Sequence, residues 1–269
     1  MKFSIVTISF NQAEFIERAI QSVLAQKEFV DLEYIVVDAG STDGSRTIIN
    51  RYRNAIDMII FEQDEGPADG LNKGFNAAKG QIYGYLNADD EYKPACLYQV
   101  ERYFSENAAV DVLSGHGEIL DRESHFVQKC FSHKFNLKRY AEGSCVVVQQ
   151  STFFKAAIFH TVGGFNKNNT ISWDGELMAD MAMSGSRFKR VSHIWSGFRV
   201  YQDSISGSGG YLEKAAREHH RIARKIGMTT PENSFIRSLN WLIYRLADPQ
   251  LVLVRLWDGL VNGKRAIPH

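Results

Sequence analysis

The sequence predicts an α/β fold built on a parallel, doubly wound sheet. Through residues 1–90, strand-like and helix-like segments alternate in the order βαβαβαβ, and the strand-like runs are short, apolar and rich in β-branched and aromatic residues. Those runs also stop at acidic groups, Asp38 and Asn87-Ala-Asp-Asp90. Open α/β sheets bind ligands at the carboxyl ends of their strands, so the stops matter as much as the runs.

Residues 3–10 read as the first strand. Asn11 is placed to cap the following helix, where Phe15, Ile16, Ala19, Ile20, Val23 and Leu24 recur at helical spacing. Residues 34–38 form a short buried strand, and Gly40-Ser-Thr-Asp-Gly44 is turn chemistry. A second helix carries Ile48, Ile49 and Tyr52, and residues 58–61 are the third strand. A third helix, roughly 68–78, stops at Gly80, and residues 82–86 are the fourth strand. Pro94 suits the first turn of a helix bearing Leu97, Val100 and Phe104. Strand-like pieces follow at 110–113, 126–130 and 145–148, then a helical 153–159, the loop Gly163-Gly-Phe-Asn166, a helix over 174–183 and a strand near 188–194. Beyond about Ser206 the composition turns helical, basic and aromatic. Residues 1–205 are therefore expected to form one domain and 206–269 a helical extension.

Size and composition narrow the function. A chain of 269 residues fits one large domain or a domain with an appendage. With 44% hydrophobic and 23% charged residues it reads as globular rather than disordered. Lys plus Arg (31) equals Asp plus Glu (31), so nothing in the charge points to nucleic acid, and none is expected as a partner. Cys96, Cys130 and Cys145 are odd in number and show no C-x-x-C spacing, which argues against a disulfide framework and against zinc. Reduced thiols in a cytoplasmic setting are expected. The first residues lack a signal-peptide layout, and no window of about 18 apolar residues suggests a spanning helix.

Asn87, Ala88, Asp89 and Asp90 read either as a solvated turn or as a ligand site, since adjacent carboxylates repel unless a cation or a hydrogen-bond network holds them. In a parallel sheet, Asp38 would converge with Asp89 and Asp90 at one edge. Helix N-termini near Asn11 and Ser45 would aim free N–H groups at that edge and favour phosphate. Phosphate beside carboxylates needs a bridging divalent cation, and oxygen ligands suit Mg²⁺ or Mn²⁺ rather than zinc. A nucleoside diphosphate held through a metal is the expectation. No G-x-G-x-x-G follows the first strand and no G-x-x-x-x-G-K-[ST] occurs, so dinucleotide and P-loop readings lose their main support.

Several motifs then fall in one order: Ser4-Ile-Val-Thr-Ile-Ser-Phe-Asn-Gln12, Ile20-Gln-Ser-Val-Leu-Ala-Gln26, Ile35-Val-Val-Asp-Ala-Gly-Ser-Thr-Asp-Gly44 and Leu86-Asn-Ala-Asp-Asp90. Together they resemble the family 2 glycosyltransferases. The resemblance is dense over the first ninety or so residues and continues as islands. It implies the GT-A fold, a Rossmann-like, mixed but mainly parallel sheet flanked by helices, here with a helical C-terminal appendage. It also implies transfer with inversion from a nucleotide sugar, a UDP-sugar in the first place, to a glycan or lipid-linked acceptor, with Mn²⁺ or Mg²⁺ as cofactor. The stretch Glu62-Gln-Asp-Glu-Gly-Pro-Ala-Asp-Gly-Leu-Asn-Lys-Gly74 resembles a bacterial subgroup that makes surface polysaccharides.

The resemblance assigns roles by position. Ile8 and Phe10 fall where the family holds the uracil ring, the alternative for Phe10 being a core position. Asp38 is assigned to the base or ribose and Asp43 to capping, although Asp38 is itself competent to cap. Asp64, Asp69, Asn72 and Lys73 lie before or early in the third helix. Asp69 serves either the helix dipole or the nucleotide sugar, and Lys73 either stays solvated or meets the diphosphate or sugar. By the family's D-x-D motif, Asp90 is the metal ligand and Asp89 the ribose contact or second ligand. Asn87 departs from the acidic version but still accepts from ribose. A further island, Gly163-Gly-Phe-Asn … Ser172-Trp-Asp-Gly-Glu-Leu177, puts Asp174 on the general base and leaves Trp173 to stack on a sugar. The alternative for Asp174 is a helix cap. Residues 194–206 resemble a loop covering the diphosphate, in which many relatives carry a His where Tyr201 stands. A neutral Tyr is a poor divalent ligand, so Arg199 is expected to take more of the phosphate charge. No Gln-x-x-Arg-Trp motif suggests a processive polymerase.

In the extension, Arg217, His219, His220, Arg221, Arg224 and Lys225 concentrate positive charge. Trp241, Leu242, Tyr244, Leu246, Leu251, Val252, Leu253, Leu256, Trp257 and Leu260 are interleaved with Arg237, Arg245, Arg255, Lys264 and Arg265. This suits either peripheral contact with the inner face of the cytoplasmic membrane or packing on the main domain. Two rival functions remain at this point: a sugar-nucleotide nucleotidyltransferase, though Phe10-Asn-Gln-Ala13 is no Gly-rich phosphate loop, and a non-catalytic nucleotide-sugar or glycan-binding module.

Overall fold

The computed structural model describes residues 1–201 and 211–228, with Asp248 and Val252. Alternation along the first strands sets its layers. In β1 (Phe3–Ser9), Phe3 and Ile5 enter one apolar cluster and Val6 another; in β2 (Leu32–Asp38), Tyr34 and Val36 go with the first, Ile35 and Val37 with the second. Strands buried on both faces need helices on both. One face is covered by α1 (Ile16–Leu24), α2 (Ser45–Arg51) and, later in the chain, α4 (Cys96–Glu106), through Ile16, Ile20, Ile49, Leu97 and Phe104. The other is covered by α3 (Pro67–Ala77), α6 (Ala156–Thr161) and α7 (Trp173–Met183), through Leu71, Phe75, Phe159, Leu177 and Met181.

The expected parallel half is present. β3 (Met58–Phe61) pairs with β2 and β4 (Ile82–Asn87) with β1, all parallel, placing Ser9 opposite Asp38 and Ile8 opposite Asn87. Beyond β4 the sheet becomes mixed. β8 (Thr152–Lys155) runs antiparallel to β4 and to β6 (Val112–Leu120), while β9 (Phe188–Arg199) lies parallel to β6. The short β5 (Glu91–Tyr92) joins β9, and β7 (Phe126–Cys130) joins β6, both antiparallel. The order is β3-β2-β1-β4-β8-β6-β9-β5, with β7 beside β6.

Four local expectations need correction. Asn11 does not cap α1, whose N-cap is Phe15 without a side-chain bond; it adopts φ 52° and its Oδ1 accepts the Thr42 N–H at 2.9 Å. Residues 145–148 form no strand, because their backbone meets side chains: Val146 N–H reaches His133 Nδ1 at 2.9 Å and Val148 N–H reaches Ser132 Oγ at 2.8 Å. Residues 153–159 split between β8 and α6. The helix after Pro94 begins two residues later, at Cys96, behind Ala95 at φ 55°.

α3 lies close on the sheet because Gly74 has no side chain. A Cβ there would stand 2.5 Å from Val6 Cγ1. Gly74→Ala should therefore lower stability by about 1–3 kcal/mol despite alanine's better helix propensity, read as a lower urea midpoint. An unchanged midpoint would mean the helix shifts freely.

The described part of the extension, α8 (Tyr211–Lys225), packs on α5 (Leu137–Ala141) and α7. Arg221 and Lys225 from the basic cluster both pair with the fully buried Glu176, and Lys225 also meets Asp180 at 2.7 Å. Asp248 pairs with Arg190 of β9 at 2.5 Å, both buried. Apart from Val252, the aromatic and basic residues named between 237 and 265 lie outside the described residues. No described helix is long and apolar enough to cross a membrane.

Candidate active site

The carboxyl ends of β1, β2 and β4 meet a cavity of about 670 Å³. Two loops frame this edge and are tied to each other. Asn11 N–H donates to Ser41 Oγ, Gln12 N–H to Ser45 Oγ and Ala13 N–H to Asp43 Oδ2, at 2.8, 2.9 and 2.8 Å. The Gly40–Gly44 turn thus clamps the exit from β1, with Gly40 and Gly44 at positive φ that other side chains resist.

Ile8, Phe10, Asn87, Asp89, Asp90, Arg199 and Asp174 all border the cavity. Phe10 is 59% exposed, which removes its core alternative. Asp38, Asp69 and Lys73 do not border it. Asp38 is fully buried beneath the rim: Oδ1 accepts from Gly40 N–H, Ser41 N–H and Arg46 Nε, and Oδ2 from the Ser41 hydroxyl. Burial pushes its carboxyl up, but these donors, Ser41 and Arg46 foremost, hold it below the ordinary value. Asp69 accepts from Glu65 N–H, and Lys73 donates to the Gln63 carbonyl, so both brace the loop before α3 from behind. Asn72 is likewise structural, exchanging two hydrogen bonds with the Phe165 backbone. The loop's cavity side carries Asp64, half-buried, whose carboxyl is raised by burial.

The Asp89–Asp90 pair is the electrostatic centre of the wall. Asp90 is almost wholly buried; Oδ1 accepts from Arg199 N–H at 3.0 Å and Oδ2 from Gln150 Nε2 at 2.8 Å. Burial raises its carboxyl well above the ordinary value, and the neighbouring Asp89 charge raises it further. Asp89 is also raised by burial and accepts from the Tyr201 hydroxyl at 3.2 Å. Two buried carboxylates that resist ionising together suit a cation. Beside them Asn87 Oδ1 has no hydrogen-bond partner among the described residues. This all-oxygen set fits Mg²⁺ or Mn²⁺.

Other buried polar atoms of the wall also lack a hydrogen-bond partner among the described residues: Ser9 Oγ, Gln149 Nε2, Trp173 Nε1, and Nε and Nη2 of Arg199, the last lying 3.9 Å from Glu91 Oε2. Buried polar groups ordinarily have partners, so such clustering marks a place for a polar ligand. The Arg199 side chain itself has no exposure; its Nη1 meets Ser124 Oγ at 3.0 Å and its guanidinium lies over Phe15 at 5.0 Å.

Asp174 stands in the first turn of α7 with no side-chain partner among the described residues. Burial raises its carboxyl, against the pull of backbone N–H groups of its own turn. It does not cap the helix, whose N-cap is Ser172. Trp173 is 5% exposed, belongs to the apolar cluster on this face of the sheet and also lines the cavity.

Residues 4–170 match the family described as Glycosyl transferase family 2. The chain belongs to that family. An uncharacterized glycosyltransferase of Nostoc sp. is 37% identical over 133 residues, 46% of this chain and 41% of the relative, so the match spans less than half the Nostoc protein. A PGL/p-HBAD biosynthesis glycosyltransferase of Mycobacterium bovis is 28% identical over 71% of this chain and 74% of its own. Among solved structures, S. aureus TarS 1–349 in complex with UDP-GlcNAc superposes with a TM-score of 0.66 at 17% identity, over 92% of this chain and 73% of that one. The mannosyltransferase PcManGT of Pyrobaculum calidifontis, in complex with GDP-Man and Mn²⁺, gives 0.63 at 19% identity, over 92% and 71%. These likenesses establish the GT-A fold for this chain.

Residues missed by sequence reasoning include a continuous stretch of the cavity wall: Val146, Val147, Val148, Gln149 and Gln150. The signal available was the break of the apolar run at Gln149-Gln150, a pair of amides at the end of a would-be strand.

Proposed function

We propose that the protein is an inverting glycosyltransferase moving a sugar from a nucleotide sugar, a UDP-sugar in the first place, to a hydroxyl of a glycan or lipid-linked acceptor. The observation that carries this reading is one shared cavity: Asp174 and the Asp89–Asp90 pair, 84 residues apart in sequence (174 less 90), border the same space among unpartnered polar atoms. Ile8 and Phe10 take the base, and Asn87 and Asp89 the ribose side. Asp38, with its oxygens already taken, acts through the turn that it builds. Asp90 and Asp89 hold Mn²⁺ or Mg²⁺, which when bound supplies positive charge to the departing diphosphate.

Asp174 takes the proton from the acceptor hydroxyl as that oxygen attacks the anomeric carbon. The new C–O bond forms on the face opposite the breaking sugar–phosphate bond, so configuration inverts. The raised Asp174 carboxyl favours this role, because a more basic carboxylate is a stronger proton acceptor. The resemblance of residues 62–74 supports placing the reaction in bacterial surface-polysaccharide assembly, on the cytoplasmic side of the membrane.

The test is calorimetric titration of UDP with and without Mn²⁺. Wild-type binding should tighten with Mn²⁺, and Asp90→Ala should abolish that increment. An identical Mn²⁺ increment in the variant would remove Asp90 from the metal site.

A further inference from the structure

Gln149 and Gln150 begin a single 3₁₀ turn, Gln149–Ser151, that joins the cavity wall to β8. Hydroxyl groups fasten this turn to the sheet. Val148 N–H donates to Ser132 Oγ at 2.8 Å, and that hydroxyl donates to the Gly115 carbonyl at 2.6 Å. The Ser151 hydroxyl donates to the His116 carbonyl at 2.7 Å and stands 2.7 Å from Ser196 Oγ. All three serines are fully buried. Thr152 Oγ1 donates back to the Val148 carbonyl at 2.8 Å and closes the turn. Below it β6 carries Gly117, where a Cβ would stand 2.9 Å from Val148 Cγ1, so the segment lies on bare backbone. Satisfied buried hydrogen bonds rigidify what they join.

The turn aims Gln150 at Asp90. Gln150 Nε2 donates to Asp90 Oδ2 at 2.8 Å, and the Arg199 backbone N–H donates to Oδ1 at 3.0 Å. A carboxylate offers about four lone-pair sites, so one donor on each oxygen leaves each a site to spare. Held at both oxygens, the group cannot turn about its Cβ–Cγ bond, and the spare sites keep fixed directions. Both donors are uncharged. A Lys or Arg in place of Gln150 would neutralise the carboxylate and repel a cation, and a Glu would repel Asp90. An amide orients the carboxylate without either effect.

We propose that Gln150 is a positioning residue for the divalent cation: its amide holds the Asp90 carboxylate in the orientation that receives the ion, and the serine-fastened turn holds the amide. The inference rests on Asp90 being a metal ligand and adds what orients that ligand. Partners behind a metal ligand ordinarily set its affinity for the ion by about 10–100-fold.

The test titrates UDP calorimetrically into the full chain across a series of Mn²⁺ concentrations, for the wild type, Gln150→Met and Gln150→Asn. Methionine keeps the length and bulk of glutamine without a donor. Asparagine keeps an amide that ends one methylene short. In both, metal-free UDP affinity and melting temperature should match the wild type, while the Mn²⁺ concentration giving half of the tightening rises about tenfold or more. A turn that had merely collapsed would instead weaken UDP with and without Mn²⁺ and melt earlier. Should the methionine variant misfold, the asparagine variant carries the same expectation alone. A half-effect concentration equal to the wild type's in a folded variant, or an equal loss of metal-free UDP binding, would overturn the inference. A wild type that binds UDP equally with and without Mn²⁺ would overturn the metal reading of Asp90 and this inference with it.

Discussion

Asp174→Asn is expected to cut turnover by about 10²–10⁴-fold, the usual contribution of a general base, while leaving UDP affinity unchanged. The amide keeps the shape of the first turn of α7 but cannot accept the acceptor's proton. No side chain among the described residues pairs with the carboxylate, and the backbone N–H groups of its own turn can donate to the amide oxygen instead. The pH profile should carry the same signature. Only the ionised form works as a base, so wild-type transfer falls as pH drops through the Asp174 pKa, which burial holds above the ordinary aspartate value. The acid limb should therefore lie at higher pH than an exposed aspartate would give. Stability moves oppositely. A carboxyl whose folded pKa exceeds its unfolded one costs stability once ionised, and the variant is freed of that cost, so its melting temperature should equal or exceed that of the wild type at neutral pH. An inactive variant that melts earlier would point to structural damage, and an active one would send the base elsewhere.

The parallel half of the sheet was legible because its signals are local. Residues 34–37 and 58–61 are apolar at every position, the first run ending at Asp38, and the strands formed there. The mixed half was less so. β5 has only two residues, and β8 is a four-residue Thr-Phe-Phe-Lys whose partners are distant in sequence, so neither period nor length distinguished it from the start of a helix. The site divides the same way. Asn87, Asp89, Asp90 and Asp174 sit where a motif fixes them relative to a strand or helix end. Asp38, Asp69 and Lys73 lie off the cavity lining, each with local backbone partners that tie it into a neighbouring loop. Competition between a ligand and a nearby N–H or carbonyl is settled by loop geometry, which single residue types do not specify.

Glu176→Ala should cost about 3 kcal/mol at neutral pH, near the lower end for breaking a buried ion pair because Arg221 and Lys225 are partly exposed and can rehydrate. The carboxylate is 1% exposed and is satisfied from every side. Asn166 and Asn169 donate from the loop before α7, and Arg221 and Lys225 donate from α8. Burial alone would raise its pKa, yet Arg221, Asn169 and Lys225 bring it from 4.5 down to about 2. Because the folded value is the lower one, the stabilisation is complete above the unfolded pKa and disappears as pH falls from about 4.5 through about 2. Wild-type urea midpoints should drop across that window, and the alanine variant should lack this component of the drop. Hydrogen exchange localises the effect: α8 amides should lose protection in the variant while β1 and β2 keep theirs. Matching profiles in the two proteins would show that α8 is held by something other than this charge. Glu176 lies two residues beyond Asp174 but does not line the nucleotide-side cavity, so UDP affinity should stay unchanged while α8 loosens.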